Sequence, residues 1–250
     1  MSLDNLRHSL FVPGTMCDQR VWQPVMDLMT EVTQCHYVAI EDCQTRMAMS
    51  QKIATQVSRS AEHSAQKVNL IGFSMGGYLS LQYALEHPEH IQHLVLVCIS
   101  AISLPDSELH ERRQNIAWLK QHTYKGISRV RLSKFVHPSQ QQNSAVVDVV
   151  KAMDKDLGQA VLIQQLEQTS ERKSLLGELS NVPFPVTIIG AQDDALVAPE
   201  DLRRMAKQLE EREQPIQQYH QSLHIVPTAG HMLPLEQPNK IAEILTAQFR

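Results

Sequence analysis

Short apolar runs alternate with amphipathic stretches along the first hundred residues of the chain. Apolar runs rich in β-branched residues predict buried strands, and these lie at residues 7–12, 35–40, 68–73 and 91–98. Apolar residues spaced by three or four predict helices, which lie at about residues 21–29, 49–61 and 78–86. Because strands alternate with helices, the pattern predicts a mostly parallel sheet with right-handed crossovers and helices on both faces.

This alternation stops after residue 99. Helical patterns then follow one another, at residues 106–122, 126–136, 144–155 and 157–171. Strand patterns return at residues 185–190 and 223–226, and helical patterns at 199–211 and 241–249. We therefore expect an α/β core of residues 1–103 and 181–250, interrupted by a helical cap of residues 104–180. Such a cap would cover the carboxyl ends of the strands, where open α/β sheets bind ligands; a purely structural appendage is the alternative.

The strand at residues 68–73 leads into the motif Gly72-Phe73-Ser74-Met75-Gly76 and then into a helix. Gly-x-Ser-x-Gly between a strand and a helix is typical of a nucleophile elbow, a sharp turn that projects the serine hydroxyl above the sheet. Glycine suits the two flanking positions because strand and helix backbones approach closely there. Ser74 is therefore the candidate nucleophile, although a glycine-rich helix start without catalytic meaning also produces this pattern.

A serine hydroxyl needs a base to become a good nucleophile, and the base needs a carboxylate that orients it. In this kind of sheet the chain order is serine, acid, histidine, each just past a strand. His231 follows the last predicted strand and is the candidate base, whereas a chance histidine among 12 is the alternative. Asp193 and Asp194 both follow the strand at 185–190. We prefer Asp193 as the acid, since it lies three residues after Gly190, and keep Asp194 as the alternative.

A tetrahedral intermediate also needs about two N–H donors for its oxyanion. The N–H of Met75, the residue after the nucleophile, is one candidate, and the N–H of Thr15 in the turn after the first strand is the other. Met16 and Trp22 are candidates for an apolar substrate pocket beside this site, although ordinary core packing is the alternative for such residues.

Composition excludes several other classes of protein. The formal net charge is −4 and Lys and Arg are scattered, which gives no electrostatic case for binding nucleic acid. The sequence has no window of 18 apolar residues, so we expect no membrane span. It also has no basic segment followed by a long apolar run, so we expect no signal peptide. The spacing of the four cysteines matches no metal site, so we expect reduced thiols, a cytoplasmic location and no metal or other cofactor. His87, His90 and His93 are interpreted as surface histidines.

The chain resembles the α/β-hydrolase family. The resemblance rests on the elbow, on residues 11–15 and 21–22, on residues 190–194, and on Gly-His-Met-Leu-Pro-Leu-Glu-Gln-Pro at 230–238. It implies the α/β-hydrolase fold with a cap, a triad of Ser74, Asp193 or Asp194, and His231, and an oxyanion hole of Thr15 and Met75. The sequence departs from the family in having Pro13 where the usual first turn has histidine, and in a loop between Gly190 and Pro199 that is one residue longer.

By this resemblance the expected partner is a small ester-type substrate, and the expected reaction is cleavage of a carboxylester, thioester or lactone by a monomer or homodimer. A lyase is one alternative, since the menaquinone-pathway lyase of this family has a similar elbow; Tyr78 stands here where an arginine would be expected. A non-catalytic protein that binds a small molecule is the other. Four arginines of the cap could meet an acidic substrate, but a solvated helix face is the preferred interpretation: Arg112, Arg113, Arg129 and Arg131.

Overall fold

The computed structural model describes residues 6–64, 66–212 and 222–249. The strands in these ranges are β1 (His8–Val12), β2 (Gln34–Tyr37), β3 (Val68–Phe73), β4 (Ile91–Val97), β5 (Val186–Ala191) and β6 (Leu223–Val226). They form one sheet in the order β2-β1-β3-β4-β5-β6, and every neighbouring pair is parallel. The fold class predicted from the sequence, a parallel sheet of the α/β-hydrolase type, is confirmed.

The helices of the described ranges cover both faces of this sheet. They are α1 (Gln23–Leu28), α2 (Arg46–Ser64), α3 (Met75–Glu86), α4 (Asp106–Gln121), α5 (Arg129–Phe135), α6 (Ser144–Ser170), α7 (Pro199–Glu210), α8 (Leu233–Glu236) and α9 (Pro238–Phe249). Short 3₁₀ turns occur at Gln19–Val21, Pro88–His90, Pro138–Gln140 and Leu176–Asn181. None of the described helices is long and apolar enough to cross a membrane.

Successive side chains of each central strand enter opposite layers of the core. Leu10 and Leu70 pack with α2, α3 and α7, whereas Phe11 and Ile71 pack with α1 and α9. Both sets are fully buried. Because helices cover both faces, consecutive residues of these strands are apolar, as at Leu10-Phe11-Val12 and Leu70-Ile71. A strict alternation of apolar and polar residues is absent there, as expected of a parallel sheet that is buried on both faces.

The helical segment between β4 and β5 differs from its prediction mainly at two places. The helix predicted at residues 126–136 is shorter, because the Ser128 hydroxyl accepts a hydrogen bond from the Arg131 N–H and caps the helix start. The helices predicted at 144–155 and 157–171 are one element, α6, with a kink at Gly158, where φ is 73° and ψ is −174°. Glycine tolerates this left-handed φ without strain.

This helical segment lies against the turn that follows β1. Helix α4 packs on α6, and a small apolar cluster joins Met16 to Leu119 of α4 and to Leu162 and Leu166 of α6. The buried Met16 N–H also donates a hydrogen bond to Gln165 Oε1 of α6, at 2.8 Å. A side chain of α6 therefore holds the backbone of this turn.

His93 is not the surface residue that the sequence suggested, since only 5% of it is exposed. It lies in the middle of β4, where Thr187 of β5 is within hydrogen-bonding distance of its Nε2, at 2.8 Å. Burial lowers the pKa of His93 from 6.5 to about 4. The folded protein therefore keeps this side chain neutral at pH values where the unfolded chain binds a proton.

We expect His93 to make the protein less stable as the pH falls from about 6.5 to about 4, because only the unfolded state takes up the proton over that range. One such group contributes a slope of up to about 1.4 kcal/mol per pH unit. Urea unfolding of the intact protein and of His93→Gln at pH 7 and pH 5 measures this contribution. An equal loss of unfolding free energy in both proteins would contradict it.

Candidate active site

Ser74 lies at the turn between β3 and α3 with φ 50° and ψ −117°, an unfavourable conformation for a residue with a side chain. The surroundings leave no space for side chains on the neighbouring glycines. A Cβ on Gly76 would lie 2.2 Å from Pro13 O, and a Cβ on Gly72 would lie 2.5 Å from the Gly77 Cα. The Ser74 N–H donates to Val97 O at 2.9 Å. Close backbone packing therefore holds the serine in the strained turn.

His231 follows β6 and is buried with 3% exposure. Its Nε2 lies 3.0 Å from Ser74 Oγ, and its Nδ1 lies 2.8 Å from Asp194 Oδ2. The rings of Phe73 and Phe135 pack against the imidazole, with centroids at 5.2 and 5.7 Å. If Nδ1–H donates to the carboxylate, Nε2 is free to accept the serine proton, which is the tautomer that a general base needs.

Asp194 is buried beneath the imidazole and remains a carboxylate. Burial by itself raises the pKa of this carboxyl, but the charge of His231 and hydrogen bonds lower it below its ordinary value overall. The hydrogen bonds come from His231 and from the N–H groups of Leu196 and Val197, which donate to Oδ1 at 2.8 and 3.1 Å. Asp194 is therefore suited to orient a histidine and to stabilise its charged form.

The sequence preference for Asp193 as the partner of His231 is wrong. The Asp193 side chain is 49% exposed, and its Oδ2 lies 3.5 Å from His137 Nε2. The reason is the end of β5, which continues to Ala191 instead of ending at Gly190. The position three residues past the strand is therefore occupied by Asp194. Backbone pairing of Asp193 N–H with Ala229 O, at 3.1 Å, fixes this loop beside the residues that precede His231.

The structure brings Thr15 and Met75 to the same cavity as Ser74. Within the described ranges, neither backbone N–H donates a hydrogen bond to another group of the chain. Met75 is the first residue of α3, where N–H groups have no partner inside the helix. Both amides are thus available to an oxygen atom bound beside the serine hydroxyl.

The two residues predicted to form an apolar pocket lie elsewhere. Trp22 is fully buried, and its indole N–H donates to Val12 O at 3.0 Å, so it belongs to the core and not to the cavity. Met16 is 7% exposed and lines a smaller neighbouring cavity with Phe135 and Met232. The sequence does not indicate whether an aromatic side chain in this position, such as that of Trp22, points into the core or into a cavity.

Sequence reasoning assigned no role to two buried residues beside the site. Cys98 follows β4 with φ 50°, and burial raises its thiol pKa well above the ordinary value, with a further contribution from the Asp194 charge. Glu236 accepts hydrogen bonds from the Gly230 N–H and from the His137 N–H, at 3.0 Å for the latter. Glu236 therefore ties the loop that carries His231 to the segment after α5.

Metal-like groupings of side chains occur at two places in the described ranges. One comprises His87, Glu89 and His90 near the surface, and the other comprises Cys98, Asp194 and His231. In the second group the Asp194 carboxylate and the His231 imidazole bond each other at 2.8 Å, and the imidazole Nε2 lies 3.0 Å from Ser74 Oγ. These contacts account for the arrangement of Asp194 and His231 without a metal.

Comparison with known proteins agrees with this fold. A family model described as serine aminopeptidase, S33 matches residues 40–229. The chain therefore belongs to this family of α/β hydrolases. A probable 1-acylglycerol-3-phosphate O-acyltransferase of Oryza sativa subsp. japonica is 42% identical over 60 residues, which cover 23% of this chain and only 13% of that protein.

Solved structures share the fold over nearly the whole chain. A thermophilic esterase from Thermogutta terrifontis is 18% identical with a TM-score of 0.82, over 98% of this chain and 89% of that one. The enol-lactonase of Burkholderia xenovorans LB400 is 14% identical with a TM-score of 0.75, over 98% of this chain and 91% of that one. At this level of identity the likeness concerns the fold.

We expect Asp194→Asn to slow the reaction of Ser74 with a fluorophosphonate by about 10³–10⁴-fold, since the asparagine favours the wrong histidine tautomer. Asp193→Asn is the matched control, and it should change the labelling rate by less than about threefold because Asp193 does not contact His231. Labelling rates measured by mass spectrometry compare the two variants. A larger loss in Asp193→Asn would show that the acid has been assigned wrongly.

We expect Glu236→Ala to lower the free energy of unfolding by about 1–3 kcal/mol for each N–H that loses its acceptor in the buried loop. Urea unfolding monitored by circular dichroism measures the change. Glu243→Ala, which removes an exposed partner of Lys240, is the control and should change stability by less than about 0.5 kcal/mol. Similar losses in the two variants would contradict the role given to the Glu236 hydrogen bonds.

Proposed function

We propose that this protein is a serine hydrolase that cleaves a small carboxylester, thioester or lactone through an acyl-enzyme on Ser74. The observation that carries the proposal is the hydrogen-bonded series from Ser74 through His231 to Asp194, at 3.0 and 2.8 Å, beside an open cavity. The likeness in fold to an esterase and to an enol-lactonase supports the same class of reaction.

In the first half of this reaction Ser74 Oγ attacks the carbonyl carbon while His231 Nε2 takes the hydroxyl proton. The negative charge that develops on the carbonyl oxygen is stabilised by the N–H groups of Thr15 and Met75. His231 then gives its proton to the departing alcohol, thiol or ring oxygen, which leaves the acyl group on Ser74. Asp194 stabilises the imidazolium throughout but keeps no proton itself.

In the second half a water molecule replaces the leaving group. His231 takes a proton from that water, the hydroxide attacks the acyl carbon, and the second oxyanion occupies the same pair of N–H donors. Collapse of this intermediate returns the proton to Ser74 Oγ and releases the acid. No step needs a metal or another cofactor, since each proton and electron pair is accounted for by Ser74, His231, water and substrate.

The proposal also includes a role for the helical segment, a cellular location and an oligomeric state. Residues 104–180 would act as the cap that limits which substrates reach Ser74, since α6 contacts the turn at Met16 beside Thr15. A cytoplasmic location is consistent with four cysteines that form no disulfide. A monomer or a homodimer would suffice, because Ser74, His231 and Asp194 all come from one chain.

We expect the intact protein to hydrolyse p-nitrophenyl esters and to be labelled by a fluorophosphonate at Ser74, while Ser74→Ala loses both activities. Loss of the nucleophile typically reduces turnover by about 10⁶-fold. Ser58→Ala is the control, since Ser58 is an exposed residue of α2 that does not line the cavity, and it should leave the rates nearly unchanged. Ester and thioester series of different chain length then define the preferred acyl group.

The two other functions predict different outcomes. A binding protein of this fold would hold a small molecule equally well after Ser74→Ala and would hydrolyse none of the esters. A lyase would turn over its substrate without a covalent Ser74 intermediate. Absence of Ser74 labelling together with absence of ester hydrolysis would therefore disprove the proposed esterase reaction.

A further inference from the structure

The cavity beside Ser74 has an unexpectedly basic wall. It encloses about 400 Å³, part of it open to solvent, and three arginines line it. Arg46 begins α2, Arg112 lies on α4, and Arg172 follows α6, so residues distant in sequence meet here. The interpretation of Arg112 as part of a solvated helix face is therefore wrong.

Arg172 has the least compensated charge of the three. Its guanidinium lies over the Tyr78 ring, 5.0 Å from the centroid, and within the described ranges it makes no hydrogen bond or ion pair. The buried Nε has no hydrogen-bond partner. Burial lowers the pKa of Arg172, and the charge of Arg112 lowers it further. Buried donors without acceptors are unfavourable, so this side chain is suited to meet an acceptor that arrives from outside.

The neighbouring arginines do not remove this excess of positive charge. Arg46 donates to two neutral acceptors, Glu171 O at 3.0 Å and Gln82 Oε1 at 2.5 Å, and its guanidinium lies 5.4 Å from the Tyr78 ring centroid. Arg112 pairs with Glu108 at 2.8 Å and contacts Thr169 at 3.4 Å. In the part of the chain that the structure describes, the three guanidinium groups thus have one carboxylate partner among them, Glu108, which pairs with Arg112.

From this arrangement we propose that Arg172, with Arg46 and Arg112, forms a subsite for an anionic group of the substrate, a carboxylate or a phosphate. Guanidinium groups bind both anions through paired N–H donors. This inference rests on the proposed function, because it specifies the substrate of that reaction. The substrate would be an ester or thioester, and the part of it that occupies the cavity next to Ser74 would carry the anionic group. Tyr78 would hold two of the guanidinium groups in place through its ring.

Calorimetric titration tests the subsite without requiring turnover. Glutarate and inorganic phosphate are titrated separately into the intact protein, into Arg172→Met and into Arg113→Met. Arg113 is the matched control, because it is an exposed neighbour on α4 that does not line the cavity. We expect at least one anion to bind, with affinity reduced about 10- to 100-fold in Arg172→Met and unchanged in Arg113→Met. The anion that binds more tightly identifies the chemistry of the group.

Hydrolysis tests whether the anion belongs to the substrate. Mono-p-nitrophenyl glutarate is compared with its methyl ester, in which the free carboxylate is masked. We expect the intact protein to favour the charged ester in kcat/KM, and Arg172→Met to reduce this ratio by about 10- to 100-fold. Arg46→Met serves as a second variant if Arg172→Met does not fold.

Some results would overturn the proposal. If neither anion binds, or if Arg172→Met and Arg113→Met bind alike, there is no anionic subsite. If glutarate binds but the two esters are cleaved with equal kcat/KM, the anion does not belong to the substrate. If no ester is cleaved but an anion binds through Arg172, the subsite is retained and the proposed hydrolase activity fails.

Discussion

The close approach of β1, β3 and α3 is the constraint on which the rest of the molecule depends. The backbone at Gly76 leaves no space for a Cβ beside Pro13 O, and Gly72 is in the same situation beside Gly77. These contacts hold Ser74 at φ 50°, in a conformation that the chain would otherwise avoid. The strain lies at Ser74, whose hydroxyl has to project above the sheet in order to react. The parallel strands place His231 and Asp194 at the same edge of the sheet.

Buried electrostatics then decide which side chains form the site. The charge of His231, together with hydrogen bonds, outweighs the effect of burial and keeps the pKa of Asp194 below its ordinary value, so this carboxylate stays ionised beneath the imidazole. Cys98, in contrast, remains a neutral thiol beside the same carboxylate. The loop around His231 is fixed from the other side by Glu236. The two buried carboxylates thus have different roles, since Asp194 hydrogen-bonds the imidazole, whereas Glu236 accepts hydrogen bonds from the backbone N–H groups of His137 and Gly230.

Much of this could be predicted from the sequence, because strand ends and chain order locate Ser74 and His231 without knowledge of packing. The sequence could not decide between Asp193 and Asp194 as the partner of His231. Strand β5 ends one residue later than its pattern indicates, and the position three residues past the strand is therefore Asp194 instead of Asp193. The basic wall was missed for another reason. Helix α4 has one buried residue, Leu119, so its pattern hardly indicates which face carries Arg112 inward. Arg46 and Arg172 meet only through tertiary packing.

The hydrogen bond from Met16 N–H to Gln165 has a consequence for how such a protein can change. Gln165 belongs to the helical segment that helps to shape the cavity, whereas Met16 belongs to the turn that also carries Thr15. An exchange of the whole helical segment for that of a relative would remove the acceptor from a buried amide in the core. Sequence changes in the turn and in the helical segment are therefore coupled. Single substitutions in the cavity wall can change the specificity and keep this hydrogen bond, whereas replacement of the whole segment removes it.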